Sequence, residues 1–374
     1  MINFTAISFS FSPLTFQGQK DKYDYAAAGK IRHFLESQAH RGEKERPPTA
    51  AARRAGQPLT DNDTQREIPK IAIEVFGLTD VGIVREANED AFLVADLSRH
   101  LSDLTSELRI HTLGPGGTLF LVCDGMGGAL AGEVASKMAV ETVLEIMERE
   151  PFPTDHATLV RRMDAAIKEA SERIFITSRR DIQKRGMGTT ITLAALIDER
   201  LFVGQVGDSR CYLMRFDTIY RITKDQSLMN QLLETGQLKE EEIKDFEYSN
   251  VILQAAGTQK SVTPEFTYID LREGDMILLC SDGLHSMVGD DVIAYTLLNA
   301  PSLENTCYQL IDLANQGGGT DNITVIASRF KGKDLMAPDD SPILYQRYSA
   351  LDFLEIGKED DWDFPEVIVS DDDG

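Results

Sequence analysis

Two apolar runs end in the same way, and that repetition constrains the fold more than any other feature of the chain. "TLFLVCDGMGG" carries apolar residues straight into Asp124 and Gly125, and "MILLCSDGL" runs likewise into Asp282 and Gly283. A strand with one wet face alternates apolar and polar residues, whereas a strand apolar at every position must be covered on both faces. Both runs therefore belong at the centre of a layered fold, with Asp124 and Asp282 projecting from the ends of buried elements. Taken singly, an Asp-Gly step is the ordinary signature of a turn. Two of them after fully apolar runs point to a shared purpose.

From residue 71 onward, short strand-like runs recur: "IAIEVFGLTD", "DAFLVAD", "TTITLAALI", "RLFVGQV", "RCYLMRF" and "TIYRIT". Connections as brief as "DE" and "DT" force antiparallel neighbours. Val140, Val143, Leu144 and Met147 recur at helical spacing, as do Leu159, Met163, Ala166, Ile167, Ala170 and Ile174. "DQSLMNQLLETGQLKEEEIKDFE" reads as a polar, acidic helical stretch, and "DDVIAYTLLN" and "LENTCYQLIDLANQ" read as amphipathic helices. The expected class is α+β, a central antiparallel β-sandwich flanked by helices on both outer faces in α-β-β-α layers.

Residues 1–68 differ in kind: "HRGEKERPPTAAARRAGQPLTDNDTQRE" is charged, Pro-containing and aperiodic, the pattern of a flexible extension. Alternation at Ile7, Phe9 and Phe11 leaves an extra strand open there. The folded domain is expected over 69–331. Residues 332–374, ending in "EDDWDFPEVIVSDDDG", are expected to form an acidic, solvated tail.

With 42% hydrophobic residues among 374, the chain can bury a core of this size, while a net charge of -23 argues against nucleic-acid or anionic-membrane partners. Acidity suits cations. Four cysteines without a C-x-x-C pair suggest a reducing compartment, and the first residues lack a signal-peptide pattern. With no uncharged apolar run long enough to span a bilayer, the expected location is cytoplasmic.

"GGGTDNITVIAS" adds Asp321 at the start of another apolar strand. If Asp124, Asp282 and Asp321 meet, each pair repels by about 4 kcal/mol at ~4 Å for an effective dielectric near 20. A cation must sit among them. Carboxylates with no matching His or Cys cluster favour Mg²⁺ or Mn²⁺ over zinc. Gly125, without a Cβ, lets its backbone carbonyl approach such an ion, and Gly127 and Gly128 leave open space above. "TDVGIVREANEDAFLV" places Arg85, Asn88, Glu89 and Asp90 between two strands, where a solvated turn with an Arg85–Glu89 ion pair is the plain alternative. Asp208, in "GQVGDSR", occupies what reads as an ordinary hairpin.

In this order the signatures "TDVGIVREANEDA", "LVCDGMGG", "GMGTTITLA", "GQVGDSR", "LLCSDGL" and "GGTDNITVI" resemble those of the metal-dependent Ser/Thr protein phosphatases of type 2C, the bacterial branch most closely. The resemblance implies a two-metal centre, of Mn²⁺ or Mg²⁺, at one end of the sandwich. It gives Asp124 as the bridging carboxylate, the Gly125 carbonyl as a ligand, and Asp282 and Asp321 as further ligands. Glu89 and Asp90 match the acidic pair serving the centre directly or through water. Arg85 matches the arginine holding the substrate phosphate, and Asp208 the ligand of a weaker third ion.

The implied chemistry is attack on phosphoserine or phosphothreonine by a water or hydroxide shared between the ions, opposing a Ser/Thr protein kinase. A phosphoprotein-binding scaffold of the same fold is the alternative. Departures from the family pattern stand at Met126, where some eukaryotic members have histidine, at "DQS" (225–227), at "LQAAGT" (253–258), and at Ser286, where some members carry a carboxylate. The acidic "EEEIKDFE" implies a preference for neutral or basic phosphopeptides.

Overall fold

A computed structural model describes residues 70–102, 110–127, 131–246, 248, 250–339, 343 and 348–349. The expected N-terminal extension, its strand at Ile7, Phe9 and Phe11, Gly128, and the acidic stretch after 350 lie outside the described residues. Along the chain run β1 (Ala72–Asp80), β2 (Ala91–Asp96), β3 (Leu101–Ser102), β4 (Ile110–Thr112), β5 (Thr118–Cys123) and β6 (Gly125–Met126), then helices α1 (Ala131–Met147) and α2 (His156–Arg180). Next come β7 (Gly188–Thr189), β8 (Ile191–Ile197), β9 (Arg200–Val206), β10 (Arg210–Arg215), β11 (Thr218–Arg221) and helix α3 (Leu228–Glu234). The chain continues through β12 (Glu265–Asp270), β13 (Met276–Cys280), the single turn α4 (Asp282–His285), α5 (Asp290–Asn299), α6 (Leu303–Gln316), β14 (Ile323–Lys331) and β15 (Tyr348–Ser349).

Among the described residues, one sheet has the order β11-β10-β13-β14-β1-β4 and the other β15-β12-β9-β8-β5-β2-β3, with β6 and β7 pairing separately. Neighbouring strands are antiparallel, as the short connections required. The layers explain the unbroken apolar runs. On β5, Leu119, Leu121 and Cys123 face α1 and α2, while Phe120 and Val122 face the other sheet. On β13, Ile277 and Leu279 enter the space between the sheets, while Met276, Leu278 and Cys280 pack under α5 and α6. Alternate side chains of one strand thus serve two cores, so neither strand has a polar face. Each large side chain so buried contributes about 1.5–3 kcal/mol relative to exposure. The result is the α-β-β-α stack expected from the sequence.

The four cysteines are reduced and buried, distributed over all three cores. No described helix is long and apolar enough to cross a membrane. The acidic stretch after β11 does not form one helix. Its α-helical part ends at Glu234, where Gly236 takes a positive φ of 68°, and a 3-10 turn (Glu240–Asp245) follows separately. Residues past 331, read as tail, remain on the domain where described: Leu335 is buried in the core between the sheets, and β15 pairs with β12.

Candidate metal centre

Strand register brings distant carboxylates to one end of the sandwich. Cys123 lies opposite Ala91, Cys280 opposite both Val325 and Arg210, and Asp80 opposite Ile323. The residues just beyond those pairs are Arg85 and Glu89–Asp90, Asp124, Asp208, Asp282 and Asp321, so all of the singled-out side chains belong to this end. Asp124 is fixed through its backbone. Its carbonyl accepts from Thr190 N and Thr189 Oγ1, both at 2.9 Å, and its N–H donates to Thr190 Oγ1 at 2.9 Å. The "GMGTT" run therefore acts as a clamp on the carboxylate-bearing turn.

Burial, followed by the charges of Asp90, Asp282, Asp208 and Asp321, holds the Asp124 carboxyl well above the usual range. The Asp282 carboxyl is pushed up to about 6, chiefly by burial and then by Asp321. Burial and the neighbouring Asp282 push Asp208 up to about 7. Asp90 also rises to about 7 through burial, although Ser281 Oγ and Thr324 Oγ1 donate to its Oδ2 at 2.8 and 2.7 Å. Such a cluster is a poor resting state without a compensating cation.

Arg85 does not pair with Glu89 as the plain reading of its loop had it. Its Nη2 donates to Asp321 Oδ2 at 2.7 Å, with half of the side chain exposed. Partial burial opposes its charge, yet Asp321, with Glu89 and Asp124 nearby, holds its pKa above the ordinary value. Glu89 sits inward, its carboxyl raised by burial and packed over Gly132, where a Cβ would strike Oε2. Gly125 has no room for a Cβ either, because the carbonyls of Gly132 and Glu89 press on that position. Asp282 opens the turn α4 rather than a hairpin.

Sequence reasoning missed the residues that organise the loops. Asn322 donates through Nδ2 to the carbonyls of Val81 and Ala87, both at 2.9 Å, and its Oδ1 accepts from Glu89 N at 2.8 Å. It ties the Arg85–Asp90 loop to the Asp321 loop. Arg210 grips Asp225, with Nη2 to Oδ2 at 2.6 Å and Nε to Oδ1 at 2.9 Å, so that carboxylate is held low although burial pushes the other way. His285 is buried and pushed down to about 3, its Nε2 3.0 Å from the Asp208 carbonyl. The adjacency of Asn322 to Asp321 was a signal available in "TDN"; the Arg210–Asp225 pair had none.

Do these residues suit a divalent ion? Oδ1 of Asp208 and Oδ1 of Asp282 are buried with no hydrogen-bond partner among the described residues. Orphaned carboxylate oxygens beside a cavity of about 430 Å³, lined in part by Asp208, Asp282, Ser286 and Asp321, are hard donors of the type Mg²⁺ and Mn²⁺ take. Among the described residues no three acidic, imidazole or thiol side chains already close into a finished cage. Asp321 is engaged by Arg85. The donor chemistry fits such an ion.

Comparison with known proteins adds a family. A profile described as Protein phosphatase 2C matches residues 107–314. Protein phosphatase PhpP of Streptococcus pneumoniae is 34% identical over 253 residues, covering 68% of this chain and 96% of PhpP. Serine/threonine protein phosphatase PstP of Mycobacterium tuberculosis is 33% identical over 250 residues, covering 67% of this chain. The match spans less than half of PstP, 43% of its length. The crystal structure of the PstP catalytic domain in complex with two manganese ions superimposes with a TM-score of 0.58 at 31% identity, covering 70% of this chain and all of that one.

Proposed function

The chain belongs to the protein phosphatase 2C family, and from that premise we propose that it is a protein-serine/threonine phosphatase acting through two Mn²⁺ or Mg²⁺ ions. The observation that carries this reading is the buried cluster of Asp124, Asp282 and Asp208, with orphaned oxygens, set beside a half-exposed arginine. Asp124, Asp282, Asp321 and the Gly125 carbonyl would hold the pair of ions. Asp208 would serve a weaker third. Bound ions supply Lewis acidity that activates water toward phosphorus.

The chain's own residues do the rest. Arg85, planar and permanently charged, pairs with two phosphate oxygens and sets the line of attack opposite the departing Ser or Thr oxygen. To do so it exchanges its Asp321 contact for the substrate. Glu89 reaches the centre directly or through water. Asp90, its Oδ2 engaged by two hydroxyls, likewise serves the centre directly or through water. Phosphorylated proteins are the substrates, and a Ser/Thr kinase supplies them. The phosphatase domain expected over 69–331 takes in Leu335 and β15 beyond that boundary.

The test is hydrolysis of phosphoserine, phosphothreonine and phosphotyrosine peptides with Mn²⁺, with Mg²⁺ and with chelator. Turnover of the first two that vanishes with chelator is expected. Metal-independent turnover would point to another enzyme class, and none at all to the scaffold.

A further inference from the structure

Asp208 stands in the turn between β9 and β10, 7% exposed, with Oδ1 unpartnered among the described residues. Asp282 and Asp225 repel it, and repulsion favours swinging an unrestrained carboxylate away from them. Something must hold it in. Aspartate has only two side-chain torsions, so fixing the peptide planes on either side fixes the direction in which the carboxylate leaves the chain.

Both planes are held. Before Asp208, the Gly207 carbonyl accepts from Gln226 N at 3.0 Å and Gln205 Nε2 at 3.2 Å, and the Gly207 N–H donates to Gln226 Oε1 at 2.9 Å. After it, the Asp208 carbonyl accepts from His285 Nε2 at 3.0 Å. Asp282 and His285 lie three residues apart on the single turn α4, hence on one face, and both line the metal-centre cavity with Asp208. The turn thus presents a carboxylate to the centre and an imidazole N–H to the backbone of the carboxylate opposite. That bond needs only Nε2–H, which the ring carries in either charge state.

Two departures from the family pattern, "DQS" and "LQAAGT", meet here. Gln254 Nε2 donates to Gln226 Oε1 at 3.0 Å, and the Gln254 amide is itself held by the backbone of Thr263, at 2.7 and 2.9 Å. The acceptor that Gly207 uses is therefore anchored from its far side. Ser286, beside His285, replaces the carboxylate that some members carry. With one charge fewer, a site keeps its ion through the rigidity of its ligands.

We propose that His285 and Gln226 are positioning residues of the centre: they fix the Asp208 turn from two sides, so that its free oxygen meets a divalent ion already ordered. Their role rests on the reading of Asp208 as the ligand of a weaker third ion.

Mn²⁺ titration calorimetry on the full chain is the test. The wild type is expected to bind two ions tightly and a third more weakly. His285→Leu, which removes the donor, should leave the tight pair unchanged and weaken the third ion about 10-fold. His285→Gln, whose amide can donate in place of Nε2, should restore it to within about twofold. Gln226→Met, which removes the acceptor for the Gly207 N–H, should weaken the third ion likewise, and it decides the outcome if the leucine variant does not fold. The Mn²⁺ concentration for half-maximal p-nitrophenyl phosphate hydrolysis should rise about 10-fold in His285→Leu, with kcat recovered at saturating Mn²⁺, a recovery that mere loosening of the fold does not give. A third ion unmoved by the loss variants, all ions weakened together, a glutamine variant no better than leucine, or a wild type that binds only two ions overturns the proposal. Metal binding without Mn²⁺-dependent hydrolysis by the wild type sinks the phosphatase reading instead, while calorimetry still decides the roles of His285 and Gln226.

Discussion

At the scale of single residues, the centre is a set of carboxyls kept from ionising freely by burial and by each other. Asp90 and Asp208 rise to about 7 and Asp282 to about 6, against an ordinary aspartate value of 3.8. Folded-state values above the unfolded one mean the metal-free fold holds these protons more tightly. The resulting stability is complete below about pH 4 and drains away as pH rises through 6 and 7. In chelator, the thermal midpoint should therefore fall between pH 5 and pH 8, and Mn²⁺ added at pH 8 should restore it. A metal-free midpoint that is flat or rising over that range would contradict the clustering. Arg85→Ala should mainly raise KM for phosphopeptides, by about 10-fold or more, whereas Asp124→Asn should abolish both Mn²⁺ binding by calorimetry and turnover. Asp124 and Asp282 were legible because an unbroken apolar run into a carboxylate has few structural uses. The partner of Arg85 was not, since Asp321 lies 236 residues away and only the β1–β14 register unites them.

Elements matter through the loops they pin. Asn322 satisfies Val81, Ala87 and Glu89 from the step before β14, so one side chain couples the β1–β2 loop to the α6–β14 loop. Asn322→Ala leaves those backbone groups unpaired, and a loss of about 1–3 kcal/mol in stability with a larger proportional fall in kcat/KM is expected. Denaturant titration alongside peptide kinetics checks both; a stability loss with untouched kinetics would confine Asn322 to the scaffold. Strands and the main helices were legible from period alone, because two-sided burial leaves no polar interruptions in β5 and β13. The break after α3 was less so: "ETGQ" reads as tolerable within a helix until Gly236 is seen at positive φ.

For the molecule as a whole, the boundary at 331 hides a contribution from beyond it. Leu335 fills the core between the sheets, Met336 bridges to Arg272, and β15 covers the outer edge of β12. Shortening the chain after 330 should cost on the order of 2–5 kcal/mol relative to a chain ending after 349, comparable to emptying a buried leucine site. Equal midpoints for both would show the added segment to be superficial. Sequence pattern could not reveal this, because an acidic composition says where a segment is soluble and nothing about a lone leucine within it. The distribution of the cysteines has a separate use. Cys123 sits beneath α1 and α2, Cys211 between the sheets, Cys280 beneath α5 and α6, and Cys307 on the inner face of α6 itself. Nature has placed an alkylation clock in every layer: the order in which these thiols become reactive under mild denaturant reads out, without any engineered probe, which stratum of the stack parts first.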